Sequence, residues 1–308
     1  MSYNIKILNV NAEVLEQLGT KEKFWFTFKG SPVKWLFKYS RDNTGEHWSE
    51  KVAEQLCDAL GIPHVQYEIA KMNDRWGVVT PSVIHEDSRM VMGNEVLHTD
   101  SPSTYPEPTL ETQQFVRVKE HTVSRVLGCL DISGILPPTS KYHMDNLDAG
   151  DVFCGYLMLD ALVSNQDRHH ENWAIIIDSS AQTKTLCPTY DHAASLGREL
   201  LDAERSDRLT TRDTGRRIPA FVKRARSELF KLKTDKKPLF TIDAFYHAVE
   251  KRENAKLFWL TKLNELQDDK IKEIFDNIPD SVISDIAREF ALEMVFENKR
   301  RLLSYERA

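Results

Sequence analysis

Three side chains near the middle of the chain are of the types that support phosphoryl transfer. Residues 165–172 read NQDRHHEN, so Asp167 and Asn172 are five residues apart, and Asp191 follows nineteen residues after Asn172. An aspartate can accept the proton of an attacking hydroxyl group, while an asparagine and a second aspartate can hold the Mg²⁺ ions that neutralise phosphate charge. The spacing predicts a catalytic base, Asp167, and two metal ligands, Asn172 and Asp191. In the simpler alternative, Asp167 caps a turn and Asn172 is only solvated.

The flanking sequence predicts the elements that would position these groups. Residues 151–163 are an apolar run that carries Asp160 and is too short to span a bilayer, so we expect a buried helix leading into the loop. Residues 173–177 and 185–190 flank the turn-forming sequence DSSAQTK, which predicts a β-hairpin ending at Asp191. The predicted helix, loop and hairpin together favour the hypothesis of a catalytic base with two metal ligands over the alternative in which Asp167 only caps a turn.

The sequence NQDRHHEN, together with the Tyr190-Asp191 pair that follows it, resembles the corresponding motifs of the HipA-like serine/threonine kinases. In that family an aromatic residue precedes the metal-binding aspartate. Residues 275–303 also resemble the closing helices of a branch that includes compact, CtkA-type kinases. The resemblance implies a bilobal α+β fold of the protein-kinase type. Its N-lobe would be a small antiparallel sheet with one helix, its C-lobe mostly helical, and its cofactors ATP and Mg²⁺.

The N-lobe is predicted to span residues 1–84, with a nucleotide-binding loop near its start. Residues 19–23 read GTKEK and precede the alternating strand FWFTF, which is similar to the G-x-x-E-K sequence of the family. Gly19 would let the backbone approach phosphate because it has no Cβ. Gly19 and Thr20 are therefore candidate nucleotide-binding residues.

A lysine on the next strand is the candidate for binding the α- and β-phosphates. Residues 33–39 alternate, with aromatic and β-branched side chains on one face and Lys34, Leu36 and Lys38 on the other. Lys38 is the preferred candidate and Lys34 the alternative.

A helix predicted over residues 47–60, ended by Gly61, carries the glutamate that would hold this lysine. Glu50 lies at the offset that the family uses, eleven residues before Gly61. Glu46 and Glu54 compete for the role, or are only surface charges.

The rest of the chain completes the two lobes. Residues 65–72 and 75–80 predict a further hairpin, and residues 80–84 a hinge to a helical C-lobe at 85–308. A surface loop is expected at 94–110. Apolar spacing predicts helices over 109–130, 240–250, 255–267, 270–278 and 280–304.

Composition is that of an ordinary two-lobed protein of 308 residues, with 41% hydrophobic and 29% charged side chains. The net charge of −6 argues against a general nucleic-acid binder. The four cysteines show no paired spacing and fit reduced thiols. No cleavable apolar leader and no membrane span is expected, which favours a cytoplasmic location. The resemblance implies a bacterial protein, with secretion as an effector left open.

A basic stretch follows the candidate metal site. Residues 205–226 contain eight Lys or Arg and two Asp, where an activation segment and docking surface would lie. It could bind an acidic substrate or be a solvated helix face.

Arg168 could neutralise the base, read a phosphorylated segment, or form an internal salt bridge. His169, His170 and His192, with Asp167 and Asp191, could suggest a transition-metal site, but the resemblance implies that the histidine after the arginine, His169, packs and forms hydrogen bonds, and metal binding by these histidines is not expected.

Two departures from the HipA pattern concern the N-terminus. Only eighteen residues precede Gly19, so an extra N-terminal subdomain is not expected. Glu16 and Leu18 stand where relatives carry serines, so Thr20 is the remaining hydroxyl for regulation by phosphorylation in this loop.

The resemblance implies a kinase of Ser or Thr in proteins, either a toxin of a toxin–antitoxin system or an effector. A translation factor or aminoacyl-tRNA synthetase is the implied substrate, and a small DNA-binding antitoxin an implied partner. Two other functions stay open: a lipid or small-molecule kinase of the same fold, and a non-catalytic partner of such an antitoxin.

Overall fold

The chain folds into a β-rich N-terminal part and a helical C-terminal part. The structure is a computed structural model that describes residues 2–10, 13–15, 22–108 and 117–305. In the N-terminal part a six-stranded sheet has the order β1-β5-β6-β4-β3-β2. These strands are β1 (Ile5–Ile7), β2 (Val14–Leu15), β3 (Lys23–Thr27), β4 (Lys34–Tyr39), β5 (Glu68–Met72) and β6 (Arg75–Pro81). Helix α1 (Glu46–Leu60) packs against β5 and β6.

The pairing of this sheet is antiparallel, as predicted, except at one edge. The two central residues of the β5–β6 turn, Asn73 and Asp74, have φ of 49° and 60°, which is the pattern of the turn that best matches strand twist. At the edge, β1 pairs with β5 in parallel. The sequence did not indicate this pairing, because a strand of three residues with alternating polarity carries no signal of its partner or direction.

The C-terminal part contains a second, three-stranded antiparallel sheet and nine α-helices among the described residues. The sheet has the order β7-β8-β9, with β7 (Ser88–Met92), β8 (Ala174–Asp178) and β9 (Thr183–Leu186). The helices are α2 (Gly93–Asp100), α3 (Val123–Ile132), α4 (Ala149–Val163), α5 (Asp202–Thr210), α6 (Ile218–Val222), α7 (Thr241–Ala248), α8 (Glu253–Glu265), α9 (Asp268–Asp276) and α10 (Asp285–Leu303). A 3₁₀ turn, Val249–Lys251, links α7 to α8.

Helix α4 is the centre of this part, and it confirms the predicted buried helix. All fifteen of its residues are buried, and α3, α7, α8 and α10 pack around it. It begins with a reciprocal capping box, in which Asp148 accepts from the N–H of Asp151 and Asp151 accepts from the N–H of Asp148. An apolar helix of this length gains its stability from tertiary packing. The packing around α4 therefore fixes the position of its last residue, Val163, where the candidate loop begins.

Several predicted boundaries were wrong. Residues 93–100 form α2 rather than a surface loop, because Val96 and Leu97 are buried in the core. The helix expected over 109–130 begins only at Val123, where Thr122 caps it; residues 109–116 lie outside the described part. The last helix starts at Asp285, five residues later than expected, because Ser284 caps it.

The hairpin before the candidate metal site is also shorter than expected. Strand β9 ends at Leu186, so Asp191 lies five residues beyond the strand rather than at its end. Pro188 intervenes, and proline has no N–H with which to continue a ladder.

The four cysteines, Cys57, Cys129, Cys154 and Cys187, are buried free thiols. Among the described helices, none has the length and apolar character that crossing a membrane requires.

Candidate active site

The candidate catalytic loop begins where α4 ends. Ser164, directly after the helix, has φ 56°. The side-chain amide of Asn298 on α10 donates to the carbonyl oxygen of Leu162 (3.0 Å) and to the hydroxyl oxygen of Ser164 (2.8 Å). Carbonyl groups of a last helical turn have no partner within the helix, so these bonds stabilise its end. The loop therefore leaves α4 in a fixed direction.

A buried ion pair between Asp160 and Arg168 joins the helix to the loop. Neither side chain is more than 2% exposed. Arg168 donates from Nε and Nη2 to the two carboxylate oxygens of Asp160, at 2.8 Å each, and the Asn165 amide donates to Asp160 Oδ1 at 2.8 Å. Burial lowers the pKa of the Arg168 guanidinium, but Asp160 outweighs this and raises it. The pair is thus a charged, fully hydrogen-bonded unit.

The same guanidinium ties the loop to the chain that leads to Asp191. Arg168 Nη1 donates to the carbonyl oxygen of Asn172, and Nη2 donates to the Thr189 hydroxyl oxygen (3.1 Å). Of the three roles considered from the sequence, Arg168 has that of an internal salt-bridge partner. One buried side chain therefore sets the relative positions of Asn172 and the Asp191 segment.

Asp167 has a fixed backbone and an accessible carboxylate. Its N–H donates to Asn165 Oδ1 (3.2 Å), and its carbonyl oxygen accepts from the Asn172 side-chain amide (2.6 Å). Its side chain is 50% exposed and lies 3.8 Å from His169 Nε2. Burial lowers the pKa of His169. A positioned carboxylate that solvent can reach is suited to accept a proton from an incoming hydroxyl group.

Asn172 and Asp191 carry the oxygen atoms that could hold a metal ion. The amide nitrogen of Asn172 is used in its bond to Asp167, so its side-chain oxygen is the atom left for a cation. Asp191 has φ 58°, a region that aspartate tolerates better than most residues, and its N–H donates to the Tyr67 hydroxyl oxygen (3.3 Å). Amide and carboxylate oxygens suit Mg²⁺, which takes few protein ligands and completes its shell with phosphate and water. In the part of the chain that the structure describes, no three His, Cys, Asp or Glu side chains cluster around a possible metal position.

Lys38 lies beside this candidate metal ligand. Its Nζ is 3.3 Å from Asp191 Oδ2, and its side chain is 10% exposed. Burial lowers the pKa of the Lys38 ammonium, but Asp191, then Tyr67 and then Glu50 together outweigh it, so the pKa lies above its ordinary value. The alternative candidate, Lys34, is exposed. Lys34 is on the same face but at the start of the strand, and it is Lys38, four residues further on, that lies beside Asp191.

Glu50 is buried near the same centre but binds a different partner. Its Oε1 accepts from the backbone N–H of His192 (2.7 Å). Among the described residues no ion pair joins Glu50 to Lys38, which pairs with Asp191 instead. The carboxylate thus holds the residue after Asp191, and its charge still acts on Lys38.

The two competing glutamates are engaged elsewhere. Glu46 lies 2.8 Å from Arg41 Nη1 and 3.4 Å from Arg198 Nε, and Glu54 pairs with Lys51 at 2.9 Å. Neither therefore takes the position of Glu50 beside the Asp191 segment.

Two histidines, His121 and His170, form hydrogen bonds that support the candidate catalytic loop. The indole N–H of Trp173 donates to His121 Nε2 (3.2 Å), so His121 Nδ1 carries the proton and donates to the carbonyl oxygen of Glu228 (3.1 Å). The Tyr105 hydroxyl lies 2.7 Å from His170 Nδ1. Burial lowers the pKa of His170 to about 4 and that of His121 well below its usual range. Both rings therefore act as hydrogen-bonding supports at neutral pH.

Two groups of predicted residues have different outcomes. Gly19 and Thr20, with Glu16 and Leu18, lie outside the described residues. The basic segment 205–226 divides into two parts. Its first cations are buried or half-buried and pair internally, Arg205 with Asp202 (2.8 Å) and Arg208 with Glu204 (2.7 Å). The cations from residue 212 to 224 are exposed, and of these Arg216 pairs with Asp207 (2.8 Å).

Three residues support the site through contacts that were not predicted: Asp160, Tyr67 and His192, the partner of Glu50. Asp160 did carry a signal, because it is the only charged residue between positions 152 and 163. A carboxylate in a buried helix needs a partner, and the nearest arginine is Arg168. Tyr67 and His192 carried no comparable signal.

Comparison with solved structures identifies the fold. The chain is similar to the crystal structure of a Helicobacter pylori proinflammatory kinase, CtkA, with a TM-score of 0.68 and 19% identity over 92% of this chain and 91% of that chain. It is also similar to HipA of Shewanella oneidensis MR-1, from a complex of the toxin–antitoxin system HipA and HipB with operator DNA. That TM-score is 0.51, with 11% identity, over 96% of this chain and 66% of that chain. No protein-family model matches the chain, and no curated protein matches its sequence.

These similarities confirm the predicted resemblance to HipA-like kinases and the bilobal kinase-like fold. At this level of identity they establish the fold, and the chemistry rests on the residues themselves.

Proposed function

We propose that this chain, which has the fold of the HipA-like kinases, transfers the γ-phosphoryl group of ATP to a Ser or Thr hydroxyl of a protein. The observation that carries the proposal is the single unit formed by Asp167, Asn172 and Asp191. A buried arginine, Arg168, connects the loop of the first two to the segment of the third. In kinases catalysis is mostly positioning and charge stabilisation, so a rigid arrangement of these groups is what the reaction requires.

Each residue has a role that follows from its surroundings. Asp167, accessible and held by its backbone, would orient the acceptor hydroxyl and take its proton. Lys38, charged and nearly buried, would bind the α- and β-phosphates. Asn172 and Asp191 would hold Mg²⁺, which when bound neutralises phosphate charge. Backbone around Gly19 and Thr20 would cover the phosphates.

Glu50 would act through Lys38 and the Asp191 segment. It already fixes His192, the residue after the metal ligand. In this arrangement nucleotide phosphates would draw Lys38 away from Asp191, which frees the Asp191 carboxylate for a metal ion. Glu50 would then be the carboxylate that remains near Lys38.

The test is transfer of labelled phosphate from Mg-ATP into a bacterial lysate and into the protein itself. Wild type, Asp167→Asn and a matched surface variant, Asp145→Asn, run side by side. General base catalysis contributes about 10²–10⁴-fold to rate, so we expect Asp167→Asn to lose that factor while it still binds ATP. Asp145 is exposed, and its variant should retain wild-type activity. Equal labelling by wild type and Asp167→Asn would refute the proposed base.

A second candidate function rests on the HipA neighbour, whose crystals contain HipB and operator DNA. By that likeness the chain would be a toxin that binds a small DNA-binding antitoxin. The partner would co-purify with the chain. If the role is only assembly, repression of the operator would survive in Asp167→Asn and no phosphate transfer would be seen in wild type. A lipid or small-molecule acceptor would instead give transfer in an assay without protein substrate.

A further inference from the structure

A strongly basic surface lies in the C-terminal part, beyond the candidate metal ligand. Residues 211–240 contain ten Lys and Arg and three Asp and Glu, a net charge of +7 in a chain of net charge −6. This region extends past the basic segment that the sequence indicated and includes a further loop, residues 231–237. Positive charge is therefore concentrated on a chain that is otherwise acidic.

None of the three acidic residues of this region forms an ion pair with a cation of residues 211–240, all of which are described, and their charges are already counted in the net +7. Glu228 is buried and pairs with Arg117. Asp213 Oδ1 accepts from the N–H of Gly215 (2.8 Å), and Asp235 Oδ2 accepts from the N–H of Leu232 (3.0 Å). Each carboxylate serves the local structure.

The side chains of six exposed cations make no hydrogen bond or ion pair within the described part of the chain. They define the basic surface: Arg212, Lys223, Lys231, Lys233, Lys236 and Lys237. Exposed cations that lack partners leave their charge available to a ligand, with no internal bond to break first.

The loop of four lysines is anchored close to the catalytic loop. The N–H of Phe230 donates to the carbonyl oxygen of His121 (3.0 Å), and His121 Nε2 accepts from the indole of Trp173 (3.2 Å). Trp173 directly follows the candidate metal ligand Asn172, and the loop 231–237 starts at the residue after Phe230. The basic surface is thus joined to the candidate site through two side chains.

We propose that this basic surface docks an acidic segment of the protein substrate, next to the acceptor hydroxyl. The inference rests on the proposed function and adds the substrate's chemistry. Charge favours an acidic ligand, and Leu232, 57% exposed between the lysines, offers an apolar contact that a polypeptide can use. Between residues 211 and 240, all of which are described, no aromatic side chain is exposed. A stacking surface for the bases of a single-stranded nucleic acid is therefore lacking there.

The experiment measures binding without ATP, so that it is independent of catalysis. Two labelled serine peptides of equal length, one with Glu and one with Gln around the serine, are titrated with the protein and followed by fluorescence anisotropy. Several exposed ion pairs acting together should make the Glu peptide bind about 10-fold more tightly at low salt, and the advantage should fall as salt is added.

Matched variants identify the surface. The variant Lys233→Glu/Lys236→Glu/Lys237→Glu should lose the preference for the Glu peptide. The control Lys251→Glu/Lys270→Glu/Lys272→Glu makes the same charge change at three exposed lysines, one in the 3₁₀ turn before α8 and two on α9, and should keep the preference.

Three results would overturn the proposal: equal affinity for both peptides, tighter binding of an RNA oligomer of equal charge, or a wild-type dimer that the patch variant abolishes. If the preference behaves as expected but wild type transfers no phosphate to the Glu peptide or to lysate proteins, the docking surface stands and the proposed kinase activity fails.

Discussion

Exchanging the buried pair Asp160–Arg168 for apolar side chains should separate stability from catalysis. The two side chains are at most 2% exposed and share two hydrogen bonds of 2.8 Å. Removing one partner leaves a buried charge uncompensated, which costs about 3–5 kcal/mol. That is a large part of a typical unfolding free energy of about 5–15 kcal/mol. We expect Asp160→Leu and Arg168→Met each to lower the free energy of unfolding by this amount.

The double variant Asp160→Leu/Arg168→Met should recover much of the loss, because no unpaired charge remains in the core. For that, the interaction between the two substitutions must exceed the cost of either one alone, about 3–5 kcal/mol. Phosphate transfer should not recover, since the carbonyl of Asn172 and the hydroxyl of Thr189 still lack their donor. A shift of the loop by about 1 Å would lower the rate about 100-fold.

Urea unfolding followed by tryptophan fluorescence gives the four free energies of the cycle, and labelled ATP gives the activities. The exposed pair Lys270–Glu273 is the control: Lys270→Met and Glu273→Leu should show no measurable interaction. If the costs at Asp160 and Arg168 were simply additive, or if the double variant were fully active, the reasoning about this pair would be wrong.

Three further outcomes are expected. Burial holds the pKa of His47 at about 4, against 6.5 in the unfolded chain. The unfolded state therefore binds more protons between those values, and the free energy of unfolding should fall by about 1–3 kcal/mol as pH decreases from about 6.5 to about 4. Urea unfolding at several pH values would show this fall reduced in His47→Asn, and an unchanged pH dependence would contradict it. A Cβ on Gly77 would lie 2.3 Å from the Lys38 carbonyl oxygen, so Gly77→Ala should destabilise the protein by about 1–3 kcal/mol and raise the KM for ATP. Gly128→Ala, with nothing within 4 Å, should be neutral or stabilising in the same unfolding and kinetic measurements. Glu50→Gln should lower the transfer rate, whereas Glu54→Gln at its separate ion pair should not, and steady-state kinetics of the two would reveal a reversed order.

The elements of the fold that could be predicted are those with strong local signals. Helix α4 is an uninterrupted apolar run, helix α1 ends at a glycine in the left-handed conformation (Gly61, φ 72°), and the β5–β6 turn contains Asn-Asp. The parallel partner of β1 could not be predicted, since pairing over more than sixty residues is set by tertiary packing. Helix α2 was missed because its few apolar residues lie among turn-forming ones.

In the candidate site too, features that depend on residue identity could be predicted, and those that depend on tertiary packing could not. The types and spacing of Asp167, Asn172 and Asp191 were evident from the sequence, because their chemistry depends on residue identity. Their roles remain predictions that the assays above would test. The ion pair of Lys38 with Asp191, rather than with Glu50, was not evident. A choice between two carboxylates is decided by distances of an ångström or two, which no sequence pattern encodes.

The hydrogen bonds from Asn298 to the end of α4 also have a consequence for synthesis of the chain. Asn298 lies 134 residues after Ser164, the residue whose hydroxyl it binds. At ribosomal rates of about 5–20 residues per second, Ser164 is made about 7–27 s before its partner. Throughout that interval the candidate catalytic loop of the nascent chain lacks the hydrogen bonds that set its direction. A nascent chain should therefore bind no acceptor productively until α10 has left the ribosome.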